Sequence, residues 1–309
     1  MLGAACYAAA GCVAAFRLAR RFSHAVPALL AALLLYGATN LHYYSVHEPL
    51  MSHVHSFFLM GCFAYCGLRV LDGPRAVHVA ALVASGALLA LVRQLNAVAL
   101  VFPVLVALGQ GSVQRFFRAV ASHRGALLAG LLIGLVPWAL QMGYWHSVTG
   151  RLIANGYAMK GEHFEWDKMV PGLVLLGVRN GWLVYTPLMI PVMALLIKRA
   201  WQGVPPARAI LLLVAITCLL YSAWWSWHLG SGFGHRGFVD LYALAAIPLA
   251  WLLAGVLRRG ASWRLSAAVL LLAAIRLNLG LAERFEWFWS WGDWTWQRLF
   301  EQVSGVVVG

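Results

Sequence analysis

The sequence predicts an all-α, polytopic integral membrane protein, and two observations carry that expectation. Of its 309 residues, 62% are apolar and only 11% are charged, whereas an ordinary soluble domain carries about 25% charged residues. Mean hydropathy is +0.77, and the apolar residues gather in runs separated by polar breaks, so lipid is expected to be the main solvent. At about 20 residues per span, about nine or ten spans fit the chain.

The runs come in a definite order. The first, 2–16, is short for a span. It lacks the basic start and small-residue cleavage site of a signal peptide, and it reads as the remnant of a truncation or a misplaced start. The runs 25–41 and 51–68 flank a polar stretch, 42–55. The next two, 76–92 and 96–109, enclose Arg93, Gln94 and Asn96. After 125–144 comes a mixed segment, 145–170, read as a loop with an amphipathic piece. The runs 182–197, 209–227, 237–257 and 265–280 complete the set. Residues 1–280 are therefore expected to form one membrane domain. The tail 281–309 holds Trp287, Trp289, Trp291, Trp294 and Trp296, the composition of a segment lying in the headgroup layer.

The formal charge of +13 would suggest nucleic acid in a soluble protein. In a membrane protein the excess marks cytoplasmic loops, and no nucleic-acid partner is expected. One alternation of the spans puts 14 of the 23 basic residues and one of the ten acids on a single side, which makes that side cytoplasmic. The other side has no net charge and carries every polar, non-basic cluster, so chemistry is expected on that outer face. Cys6, Cys12, Cys62, Cys66 and Cys218 all lie in apolar runs and read as packing residues rather than a disulfide framework.

Glu48 precedes Pro49 at the mouth of the third run, where it reads either as a helix start or as a carboxylate facing an aqueous cavity. His47, His53 and His55 flank it. On a helix, His53 and His55 would point about 200° apart, so the metal motif is weak, and a divalent cofactor is left open. Arg93 sits between apolar runs at a depth where a guanidinium snorkels, is paired or is functional. Arg236 closes a turn containing Gly230, Gly232 and Gly234, which allows close backbone approach. Helix-start amides and a guanidinium there would suit a phosphate. The competing reading pairs Arg236 with Asp240 one turn later. His228 and His235 are weaker additions, and Arg179 at a span entry reads as an interface anchor or a contact. Hydrolase triad, Walker, CxxC and HExxH motifs are absent from the sequence.

The succession YYSVHEPLMSHVHSFF (43–58), LVRQLNAVAL (91–100), GWLVYTPLMIPVMALL (181–196) and WWSWHLGSGFGHRGFVDLYALAAIPLA (224–250) resembles the polytopic bacterial glycosyltransferases of the GT-C superfamily. Within it, the likeness is to the branch of family 39 protein mannosyltransferases and aminoarabinose transferases, and it runs from about residue 25 to 257. The resemblance implies transfer of a sugar from a polyprenyl-phosphate carrier to a glycan, lipid or protein acceptor, in the bacterial inner membrane with the active face outward. It places Glu48 where the family often has a second acidic residue, and Arg93 and Arg236, with His235 beside them, near positions suited to the lipid phosphate. His53, His228 and Arg179 are candidate donor or acceptor contacts. The family's main base lies in a first outer loop that this chain lacks, so the chain looks like the later part of a longer transferase. Alternative readings are a transporter or lipid-carrier flippase and an inactive transferase-derived scaffold.

Overall fold

The computed structural model describes residues 2–154 and 160–308. Among them there is no β-strand, only an isolated bridge between Phe164 and Trp224. Six helices are long and apolar enough to cross a membrane: Leu2–Ala19, His53–Asp72, Arg124–Thr149, Pro205–Ser222, Arg236–Leu257 and Ala261–Arg284. Three shorter apolar helical stretches, Ala25–Gly37, Ala76–Val92 and Gln94–Gly109, accompany them. The described residues form an all-helical, polytopic membrane protein, with six helices long enough to span and three shorter apolar stretches, against the nine or ten spans expected.

The boundaries differ from the expected runs for local reasons. The first helix continues through Arg17 to Ala19, giving 18 residues, because an Arg in a last turn complements the helix dipole rather than ending the helix. The expected span 182–197 is broken into Trp182–Tyr185 and Met189–Trp201. Pro187 disfavours helical backbone at Thr186, which adopts φ −136° and ψ 64°. Arg93 is extended (φ −150°, ψ 120°) and stops the helix Ala76–Val92. The chain then runs as a 3₁₀ turn, Gln94–Val101, into Phe102–Gly109. The helix expected to start near Glu48 and Pro49 begins instead at His53, so Glu48 lies in the turn between Leu41–Val46 and His53–Asp72.

Packing divides the helices into a centre and a periphery. The helix His53–Asp72 and the continuous span Arg236–Leu257 are largely enclosed. Leu2–Ala19 and Ala76–Val92 pack on the former, and Leu2–Ala19 and Ala25–Gly37 on the helical part Tyr242–Leu257 of the latter. Small residues permit close approach, as is usual between helices in lipid. A Cβ on Gly61 would stand 2.8 Å from that of Ala14, and one on Gly134 2.5 Å from that of Ala87. The helix Arg124–Thr149 touches the bundle mainly through this stripe and buries only 11% of its apolar window. Its Leu132, Ile133, Val136 and Leu140 point outward, which suits hydrocarbon surroundings.

The two ends of the bundle differ. At one, Arg21 pairs with Asp72, Arg208 donates to the Ala200 carbonyl at 3.0 Å, and Arg199 lies 5.8 Å over the Trp251 ring. At the other, segments far apart in sequence meet: Glu165 and Val170 donate backbone hydrogen bonds to Ala223 and Ser222, Asn180 binds the turn 228–232, and Arg179 donates to the Gly292 carbonyl. This loop end carries the candidate site.

Candidate functional site

The turn 228–235 is the frame of the site, and buried amides hold it. The Asn180 side-chain nitrogen lies 3.0, 3.2 and 2.8 Å from the carbonyl oxygens of His228, Gly230 and Gly232. Asn40 Nδ2 and Tyr44 Oη both donate to the Phe233 carbonyl at 3.1 Å, and Tyr242 Oη donates to Asn40 Oδ1 at 2.7 Å. A loop enclosed by apolar helices must have its carbonyls satisfied in this way. Asn180 and Leu229 both sit at φ 58°, a conformation costing an L-residue of Leu type roughly 1 kcal/mol or more. The hydrogen bonds hold that strained backbone in place.

Arg236 follows this turn. Its guanidinium lies beside Gly232, where a Cβ would stand 3.2 Å from Arg236 Nη1 and 2.5 Å from Tyr44 Oη. A side chain at position 232 would therefore run into the Tyr44 hydroxyl and crowd the Arg236 guanidinium. Arg236 is half-buried and, among the described residues, makes no hydrogen bond or ion pair. Glu48 is also half-buried and unpaired among the described residues. Tyr43 locates the two charges relative to each other. Its hydroxyl is pushed up to about 12, first by burial, then by the Glu48 carboxylate, with Arg236 opposing. Both charges act on this one tyrosine, and among the described residues they form no ion pair with each other.

Arg93, which the sequence places in the same role, is in a different situation. Its Nε lies 3.1 Å from Asp240 Oδ2, Nη1 lies 2.9 Å from His53 Nε2, and Nη2 donates to Tyr221 Oη at 2.8 Å. His53 Nδ1 lies 3.0 Å from Asp240 Oδ1. A carboxylate only accepts, so the Asp240 contact calls for a proton on His53 Nδ1; Arg93 Nη1 lies near both ring nitrogens, 3.1 Å from Nδ1 and 2.9 Å from Nε2. His53 and Asp240 are 0% and 2% exposed. The adjoining cavity, lined by Asn96, Tyr221 and Asp240, measures about 20 Å³. That is room for a solvent molecule and far too little for a phosphate.

Several expectations change accordingly. The anticipated Arg236–Asp240 pair does not form, because residues 236–241 are a 3₁₀ helix, in which side chains three apart, not four, share a face. Arg93 is a charge already matched inside the protein rather than an open cation at the rim. His53 is enclosed in that ion pair and presents no surface to a donor or acceptor. His55, two residues on, faces elsewhere and lies against Tyr7 with ring centroids 4.4 Å apart. Among the described residues no group of three His, Cys, Asp or Glu side chains could hold a metal ion. His235 is 0% exposed, with Nε2 donating to the Trp227 carbonyl at 3.0 Å, and packs as a ring between Tyr221 and Phe238.

His228 and Arg179 do border the Arg236 region. The His228 ring stands edge-on to Trp227 and Trp291, and its Nδ1 accepts the Gly230 N–H at 3.2 Å. Burial, then the Arg179 and Arg236 charges, hold it down at about 4, so near neutrality it is an uncharged member of a positive surround. The Trp-rich tail contributes here too. The expected boundary at 281 falls inside the helix Ala261–Arg284. Trp289 and Trp294 are buried and stacked 4.4 Å apart, and Trp294 Nε1 donates to Tyr185 Oη at 2.9 Å. Only Trp287, Trp291 and Trp296 of the five remain substantially exposed.

The sequence reading missed Asn40, Tyr221 and Asn180 and gave Asp240 the wrong partner. For Asp240 a signal existed: an Asp and an Arg each set in apolar runs need one another. In comparisons with known protein families, with curated proteins and with solved structures, the chain matches none.

Proposed function

We propose that the protein is a membrane glycosyltransferase that takes a sugar from a polyprenyl-phosphate carrier at the loop end of the bundle, in a cytoplasmic membrane with that end outward. The observation that carries this reading is Arg236, a half-buried guanidinium without a protein partner among the described residues, seated on Gly232 beneath a rigidly held turn. A fork of donors at the head of a span suits a phosphate whose hydrocarbon chain stays in lipid. The transfer also requires a carboxylate to activate the acceptor hydroxyl, and Glu48, whose charge acts on the same Tyr43 as Arg236 does, supplies it. As general base it would take the proton of the acceptor hydroxyl while that oxygen bonds to the anomeric carbon and the sugar–phosphate bond breaks. Arg236 would hold the charge gained by the leaving phosphate. Arg179 and His228 line the approach, and Arg93 has no ligand role in this scheme.

The test is transfer of labelled sugar from polyprenyl-phosphate donors by membranes containing the protein, beside binding of polyprenyl phosphate to the purified protein. Arg236→Ala is expected to lose donor binding by about tenfold to a hundredfold, the worth of a charge-assisted hydrogen bond. Unchanged binding would remove Arg236 from the site, and no transfer from any such donor would remove the enzyme reading.

A second reading, a transporter or lipid-carrier flippase, gains support from one observation: Arg93, His53 and Asp240 form a buried ionisable cluster among the spans, as substrate pathways often do. Flux of a polyprenyl-phosphate-linked sugar across reconstituted vesicles, without transfer to an acceptor, would favour it.

A further inference from the structure

Asp240 lies on the 3₁₀ element Arg236–Leu241 that begins with Arg236. His53 is the first residue of its helix and follows directly on the turn that carries Glu48. The two candidate groups are therefore each a few residues from one end of the same buried contact, Asp240 Oδ1 to His53 Nδ1 at 3.0 Å. The second carboxylate oxygen lies 3.1 Å from Arg93 Nε, within ion-pair distance. Each oxygen thus faces a different partner, so turning the carboxylate lengthens one of the two contacts. Arg93 extends the connection to Tyr221 at 2.8 Å on the helix Pro205–Ser222. Tyr221 lies flat against Gly237, where a Cβ would run into its ring. One turn into the His53 helix, Ser56 Oγ accepts from Asn96 Nδ2 at 2.9 Å, a second link to the segment that follows Arg93.

We propose that Asp240, with His53 and Arg93, is a positioning unit that sets the separation and direction of Glu48 relative to Arg236. None of the three would touch the reacting atoms. The Arg93 and Asp240 charges match within the cluster, which leaves the Arg236 charge to the ligand. Buried ionic groups contribute less to net stability than their Coulomb attraction suggests, and fixing register is their best-attested use. The catalytic meaning of this proposal rests on the transferase reading above; its structural content does not.

The experiment uses the full chain in phospholipid nanodiscs and reads amide hydrogen exchange segment by segment. Two variants are compared. Asp240→Asn removes the charge at the hub. His53→Phe keeps an aromatic ring and both charges of the Arg93–Asp240 pair but cuts the link to the Glu48 turn. In Asp240→Asn, exchange is expected to rise about tenfold or more in both 47–52 and 236–241, as in local opening, with Met189–Trp201 unchanged. In His53→Phe the rise is expected in 47–52 alone. Exchange in 47–52 that stays at the wild-type rate in both variants, or a rise spread evenly over the bundle, would overturn the proposal.

A functional arm separates this idea from the transferase reading. With a polyprenyl-phosphate-linked sugar as donor, His53→Phe is expected to lower kcat about 100-fold, the cost of a misplacement near 1 Å. Binding of polyprenyl phosphate itself should change less than about threefold, since Arg236 remains in place. Selective exchange without any transfer by the wild-type protein would retain the positioning unit and discard the enzyme. Transfer at wild-type kcat in His53→Phe would do the reverse.

Discussion

Arg93 and Arg236 occupy the same kind of place in the sequence, a basic residue beside an apolar run at the loop end, and the protein treats them oppositely. Arg93 is surrounded by a carboxylate, an imidazole and a phenol, all within 3.1 Å. Arg236 rests on a glycine with nothing bonded to its guanidinium among the described residues. Both residues are half-buried, so the difference lies in their neighbours: Arg93 meets the buried carboxylate of Asp240, and a charge withdrawn from water is stabilised by such a partner. Arg236 has none among the described residues and keeps its donors for a ligand. The partner, which the sequence indicates only loosely, decides between a structural and a chemical role.

The largest expected effect tests the buried half of this contrast. Asp240→Ala strands the Arg93 charge and should cost about 3–5 kcal/mol, read from unfolding in detergent. Arg236→Ala should shift the same transition by only about 0.5 kcal/mol, as at other positions without packed partners. Equal losses would erase the distinction. Next is Asn180→Ala. It leaves buried loop carbonyls without their shared donor, at about 1–3 kcal/mol, and places an alanine at positive φ, at about 1 kcal/mol more. Donor binding should weaken with it, because the turn that seats Arg236 is released. Gly232→Ala sharpens the other half. Its added methyl meets Tyr44 Oη and Arg236 Nη1, so binding of polyprenyl phosphate should fall several-fold.

The smallest effect is on pH. The His228 ring has an ordinary value of 6.5 and is held at about 4 in the folded protein. The unfolded chain then binds the extra proton first, so stability is full above about pH 6.5 and declines as the pH falls toward 4. A His228→Gln variant should lose part of that decline, measured by tryptophan fluorescence during thermal unfolding. A bound phosphate would oppose the two arginines and raise the folded His228 value toward its ordinary one, so donor should make the decline smaller.

The fold was legible where composition alone decides it. Apolar runs marked every long span, and the helix Ala76–Val92 has the predicted bounds. Breaks set by backbone chemistry were less visible. A single run from 182 to 197 does not announce that Thr186, ahead of Pro187, will leave the helical region. The site was legible as a list of residue types and not as a set of partnerships. Glu48, Arg236, His228 and Arg179 lie toward one end of the bundle. The separation of Arg93, His53 and His235 from them depends on contacts spanning up to 187 residues, as between His53 and Asp240. Asn180 gave no sign in the sequence, since an asparagine following an arginine before a glycine reads as an ordinary turn.

The Tyr185–Trp294 hydrogen bond joins residues 109 positions apart. At a synthesis rate of roughly 5–20 residues per second, that gap takes about 5–22 s to cross. Late in that time Tyr185, Asn180 and the turn 228–235 have all been made, while the stacked Trp289 and Trp294 have yet to emerge. The loop end is therefore completed late in biogenesis, by a segment that must return to helices inserted well before it. A ribosome stalled between these positions would display a bundle with its spans in place and its loop end unfinished, a species that protease accessibility at the loop end could catch.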